Sequence, residues 1–231
     1  MKNLLGILLL TVSMTAGFAS ASPYAPIVGA DYEVMKPAVP VSAPAGKIEV
    51  IVFFWYGCRH CHSLELAIQP WIKRNADKVE VKRIPVAFRP NYVPHSQLFY
   101  ALSALGVSDK ISPAIFASIL KQRNYLLTPQ AQADFLETQG VEKSKFLAAY
   151  NSFDVHGKVR QSIELPKRYS ISGVPTIVIH GKYKTGPAYT NNLEGVVQVT
   201  DYLVQQLRKQ QGDLTQGGPD VPGNETRRRR G

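Results

Sequence analysis

The stretch that decides the reading is Phe53-Phe54-Trp55-Tyr56-Gly57-Cys58-Arg59-His60-Cys61-His62. It holds the only two cysteines among 231 residues, separated by two residues. Lys47 to Trp55 leads into it as a β-rich apolar run without clean alternation, the pattern of a strand buried on both faces in the middle of a sheet. Gly57 breaks the strand. A helical pattern follows from Arg59 to about Asn75 with Cys58 at its start, and Pro70 inside it is expected to kink it.

That placement suggests chemistry. The thiolate is the reactive form of cysteine, and its population depends on its surroundings. At a helix N-terminus Cys58 meets unpaired backbone N–H groups and the positive end of the macrodipole. Cys61, one turn further on, lies on the same side, close enough for a small disulfide ring, and is covered by the helix and its packing. Arg59 brings a positive charge and His60 a ring donor, both favouring a Cys58 thiolate and so tuning the pair toward an oxidising potential. Cys58 is expected to react well below neutral pH. A structural disulfide is disfavoured, because a bridge around two residues removes little chain entropy. A metal site built from Cys58, His60, Cys61 and His62 is an alternative, weakened by the lack of a second Cys/His cluster.

Outward from the motif, the chain reads as α/β. Met1-Lys2-Asn3, the apolar Leu4 to Val12 and Ala19-Ser20-Ala21 form a secretory leader over 1–21. Export to an oxidising compartment lets a disulfide persist. No later segment has the roughly 20 apolar residues of a membrane span. Tyr32 to Val34 and Val79 to Val86 are further strand candidates. Residues 90–153 change to helical patterns: Ser96 to Leu105, a helix opened by Ser112-Pro113, another opened by Thr128-Pro129, and Glu142 to Ser152. This is a helical domain inserted into an α/β unit made of 22–89 and 154–210. Lys158 to Tyr169 reads as a helix kinked or broken near Pro166, Ile177 to Ile179 and Tyr183 to Thr185 as a hairpin, and Leu193 to about Lys209 as the last helix. Residues 211–231, ending in four arginines, read as a disordered basic tail. The net charge of +10 suits anionic surfaces. With no basic stripe interleaved with aromatics, nucleic acid is not an expected partner.

The second signal is Gly173-Val174-Pro175-Thr176, a proline opening a strand. Together with FFWYGCRHCHSLE, the helical insertion and the leader, GVPTIVI resembles the DsbA family of bacterial periplasmic thiol:disulfide oxidoreductases, over about Val34 to Leu207. The resemblance implies a thioredoxin fold with an inserted α-helical domain, a cis Val174–Pro175 bond facing Cys58, and a redox-active Cys58–Cys61 disulfide with no other cofactor. It implies a periplasmic dithiol oxidase whose substrates are exported proteins with free thiols, reoxidised by a DsbB-like quinone-linked membrane partner. A reductase or isomerase of the same fold, or a metal- or peptide-binding module, are the alternatives. The sequence departs from the family at two positions. Arg59 stands where the family dipeptide is typically Pro-His, and Val52 stands where an acid commonly lies beneath the active site. The nearest acid in the strand is Glu49.

Overall fold

The strand β2 (Ile48–Phe54) is buried at all seven positions. Its side chains divide by parity between two cores, as a pleated strand covered on both faces requires. Ile48, Val50 and Val52 pack with Leu64, Ile68 and Trp71 of α1 (Arg59–Arg74) and Val199 and Leu203 of α7 (Leu193–Gln216). Ile51 and Phe53 point the other way, against Tyr169 and Ile171. The computed structural model describes residues 25–216, so the leader expected over 1–21 and residues 217–231 lie outside the described residues.

β2 pairs in parallel with β3 (Val79–Pro85), with α1 as the crossover between them. On its other edge β2 pairs antiparallel with β4 (Thr176–Ile179), which pairs antiparallel with β5 (Tyr183–Thr185). β1 (Glu33–Val34) completes the five-stranded order β1-β5-β4-β2-β3. The β4–β5 turn places His180 (φ 50) and Gly181 (φ 63) in the left-handed region, as a tight primed hairpin turn needs. A Cβ on Gly181 would lie 2.0 Å from the Val39 carbonyl oxygen, while Val39 N–H donates to the Gly181 carbonyl at 2.9 Å. The turn therefore anchors the N-terminal segment to the sheet.

Between β3 and β4 lie a 3₁₀ turn (Pro90–Tyr92) and α2 (Val93–Ala104), α3 (Ser108–Leu120), α4 (Pro129–Thr138), α5 (Lys143–Tyr150) and α6 (Phe153–Arg168). Leu98, Leu102, Ile115, Phe116, Leu136 and Phe146 form the core of this region, and Phe54, Tyr56 and Cys61 belong to the same cluster. The reactive-pair segment thus lies against both the sheet's core and the helical core. Among the described residues, no helix is long and apolar enough to cross a membrane.

Several helix ends differ from the sequence expectation, and proline explains most of them. α2 starts at Val93 rather than Ser96, with Pro94 in its first turn, where a missing N–H costs nothing. α3 starts at Ser108 rather than Ser112, so Pro113 lies inside the helix, not at its first position. Buried Ile111, Ile115 and Ile119 recur every four residues, and their packing outweighs the one lost backbone bond. α1 likewise runs through Pro70 as one helix. α6 begins at Phe153, capped by the Ser152 hydroxyl accepting from Val155 N–H at 3.3 Å. It is not broken at Pro166, which is one of its buried residues. α7 continues to Gln216, so residues 211–216 are helical and the disorder expected from 211 does not hold there. Its late turns are rich in Gln, Leu, Arg and Lys, good helix formers that extend an existing helix at little cost.

A histidine joins the helical region to the end of β2. The Trp55 indole N–H donates to His95 Nδ1 at 2.8 Å, and His95 Nε2 lies 2.7 Å from the Tyr125 carbonyl oxygen. An indole only donates and a carbonyl only accepts, so His95 is neutral with its proton on Nε2. Burial lowers its pKa from the ordinary 6.5, in agreement, against the carbonyl's opposing pull.

Gly181→Ala is expected to destabilise the fold by about 2–4 kcal/mol in urea unfolding, from left-handed strain and the Val39 clash. His95→Ala is expected to cost about 1–3 kcal/mol near pH 7.5 by orphaning the Trp55 and Tyr125 groups. The folded-state pKa of His95 is depressed, so its contribution is fully present above 6.5 and is lost as pH falls below that value. Stability of the His95→Ala variant should therefore fall less steeply than wild type between pH 6.5 and the acid side. An unchanged slope would refute the neutral bridge.

Candidate functional site

The turn that presents Cys58 is tight. Cys58 N–H donates to the Trp55 carbonyl at 3.0 Å. Gly57 is required there, because a Cβ would lie 2.3 Å from the Trp55 ring. Cys58 is the N-cap of α1, with extended backbone (φ −96, ψ 112). Its sulfur accepts the Cys61 backbone N–H at 3.1 Å, one of the donors that a helix start leaves unpaired. Cys58 is half-buried, Cys61 is buried, and both are free thiols.

The two sulfurs are displaced in opposite directions. Cys58 is lowered to about 7: the Cys61 thiol hydrogen-bonded to its sulfur lowers it most, burial opposes, and the backbone N–H groups of Cys61 and His60 add to the lowering. Cys61 is pushed far up, first by burial and then by its hydrogen bond to, and repulsion from, the Cys58 sulfur. The direction is the one expected from the helix start; half-burial works against the donors, and the lowering draws on the Cys61 thiol and backbone N–H groups rather than on the Arg59 and His60 side chains.

Arg59 and His60 are both exposed, and they line different hollows. His60 borders one of about 400 Å³ shared with Gly173, Val174, Pro175, Lys184 and Tyr189. The Val174–Pro175 bond is cis, and as a thiol Cys58 donates to the Val174 carbonyl at 3.5 Å. The loop singled out by sequence is therefore in contact with the exposed sulfur. Arg59 borders a separate hollow with Trp55, Tyr92 and Arg123. His62 stacks on Phe116 of α3 at 5.1 Å, away from the metal grouping considered for it. Among the described residues no three His, Cys, Asp or Glu side chains are arranged around a common metal position.

Beneath the pair, Val52 is buried in the apolar core under α1. Glu49 has the opposite parity in β2 and so faces the other side of the sheet. It is ion-paired with Lys82 and accepts from the Ser42 N–H and hydroxyl, each at 3.3 Å. Glu49 is thereby committed away from Cys61. Sequence reasoning missed the His95 bridge. Val93-Pro94, a helix-opening pair, would have put His95 on a helix but not revealed its partners.

A family model described as a DSBA-like thioredoxin domain matches residues 91–198, which cover the helical region through most of the C-terminal half but not the two cysteines. The chain is 62% identical over 208 residues to the thiol:disulfide interchange protein DsbA of Burkholderia cepacia, covering 90% of this chain and 98% of that one. It is 37% identical over 209 residues to the DsbA of Pseudomonas aeruginosa, covering 90% and 98%. The crystal structure of Pseudomonas aeruginosa DsbA superposes with a TM-score of 0.76 at 38% identity, over 80% of this chain and 95% of that one. NmDsbA1 of Neisseria meningitidis superposes with a TM-score of 0.71 at 28% identity, over 80% and 96%. With a thioredoxin-like sheet, a helical insertion between its halves and relatives aligned over nearly their whole length, this chain belongs to the DsbA family of thiol:disulfide oxidoreductases.

Proposed function

We propose that the protein is a dithiol oxidase of the periplasm, delivered there by its leader, which introduces disulfides into exported proteins through Cys58 and Cys61. The observation that carries this is the half-buried Cys58 sulfur at the start of α1, which accepts the Cys61 N–H at 3.1 Å and lies 3.5 Å from the Val174 carbonyl, with Cys61 buried one turn further on; the opposed displacement of the two thiols agrees with it. A stabilised Cys58 thiolate stabilises the reduced pair, and whatever stabilises the reduced pair makes its disulfide a better oxidant.

The reaction starts from the Cys58–Cys61 disulfide, the only redox group it uses. A client thiolate attacks the Cys58 sulfur. The Cys58–Cys61 bond breaks, a mixed disulfide forms, and Cys61 leaves with the electron pair and takes a proton from water. A second client thiolate then attacks the client sulfur of the mixed disulfide. The client departs oxidised by two electrons, and Cys58 is released as a thiolate. The Val174 backbone beside Cys58 holds the client as an added strand. A DsbB-like, quinone-linked membrane partner removes the two electrons and restores the disulfide.

Alkylation of the reduced protein should follow a single titration of Cys58 with its midpoint near pH 7. Because the Cys61 thiol is the largest source of the lowering, Cys61→Ala should move that midpoint up toward the ordinary thiol range of about 8–9. A wild-type midpoint in that ordinary range would count against the oxidase. Equilibration with glutathione should find the pair largely reduced at ratios that leave structural disulfides intact. A pair that stays oxidised in excess reduced glutathione would mark a reductase instead.

A further inference from the structure

The Arg59 hollow shares no lining residue with the one beside Pro175. It measures about 360 Å³ and lies where the turn before α1 meets the 3₁₀ turn, α2 and the end of α3. One wall is an aromatic plate, Trp55 stacked on Tyr92 at 3.9 Å between ring centroids and 23° between planes. Trp55 of the plate is fixed by the His95 bridge, which also holds the Tyr125 backbone. The rim carries two guanidiniums, Arg59 and Arg123, both exposed and neither in an ion pair among the described residues. Arg123 and Leu126 are held in the left-handed backbone region, at φ 58 and 49, where non-glycine residues are uncommon.

We propose that this hollow is a recognition subsite for a carboxylate side chain of the client polypeptide in exchange with Cys58. The inference rests on the thiol-exchange reading above. An arginine fork pairs with a carboxylate through two parallel hydrogen bonds, and this hollow has two arginines on its lining beside an aromatic wall. Position selects a polypeptide over other anions. Gly57 and Arg59, the chain neighbours of Cys58, both line the hollow, so a client held at the sulfur passes its mouth. In an extended client each residue advances about 3.3 Å, so an acid a few positions from the reacting cysteine comes within reach.

The test uses the oxidised full-length protein and two synthetic dithiol peptides that differ only by Glu or Gln residues flanking the first cysteine. Stopped-flow exchange at low salt should be about tenfold faster for the Glu peptide. Arg123→Gln should bring that ratio to within about twofold of one, and Lys121→Gln, the same charge change on a neighbour outside the hollow, should keep it. Oxidation of dithiothreitol by the same samples reports the exchange chemistry itself. Failure there overturns the oxidase reading. With dithiothreitol oxidised normally, a Glu-to-Gln ratio of one, or a ratio untouched in Arg123→Gln, overturns the subsite. So does a result in which Arg123→Gln abolishes binding to vesicles containing anionic phospholipid while the peptide ratio is unchanged, since the hollow would then serve a membrane surface.

Discussion

One hydrogen bond organises this site: the Cys61 backbone N–H given to the Cys58 sulfur at 3.1 Å. It is an N-cap interaction in which a sulfur stands where helices usually place an oxygen. It exists only because the helix starts at Cys58 and nowhere else. β2 must be buried on both faces so that its end is fixed, Gly57 must clear the Trp55 ring, and α1 must be pinned to the sheet by Leu64, Ile68 and Trp71. The core thereby fixes where the half-buried Cys58 sulfur meets its hydrogen-bond donors.

The parts legible in the sequence were those written in local pattern. The β-rich run from Lys47 to Trp55, with no clean alternation, gave the doubly covered strand, and Gly57 gave the turn that makes Cys58 a cap. Leu193 onward, and the β4–β5 hairpin, followed from periodicity and a glycine turn. What was not legible depended on contacts remote in sequence. Pro113 reads as a helix start, Pro70 as a kink and Pro166 as a kink or break, because a local rule weighs the lost backbone bond and not the buried face that outweighs it. Nothing local in the sequence marks His95, whose role comes from tertiary contact with Trp55 on one nitrogen and Tyr125 on the other. Glu49 is the nearest acid along the strand, and where it points depends on strand parity, which sends it to the far side of the sheet.

Arg59 and His60 show how two adjacent residues can serve separate surfaces. As sequence they look like one charged pair over a sulfur. In the fold the helix start turns them apart, His60 toward the Val174–Pro175 loop and Arg59 toward Trp55 and Arg123. The groups that lower Cys58 are the Cys61 thiol and the backbone N–H groups of Cys61 and His60. The two side chains, on separate hollows, border what approaches the sulfur from either side.

The opposed displacement of the sulfurs also gives the proposed reaction a direction. A mixed disulfide on Cys58 can be attacked by the client's second thiol or, in reverse, by Cys61. Attack requires a thiolate, and burial keeps Cys61 protonated. Return to the starting disulfide is therefore suppressed. Release of the client expels Cys58, whose low pKa makes it the better leaving group. The apolar setting beneath Cys61 makes it a poor leaving group in the first step, which is why that step needs a proton. Neither Val52 nor the committed Glu49 supplies one, and the same burial that slows entry into the mixed disulfide favours its resolution toward product.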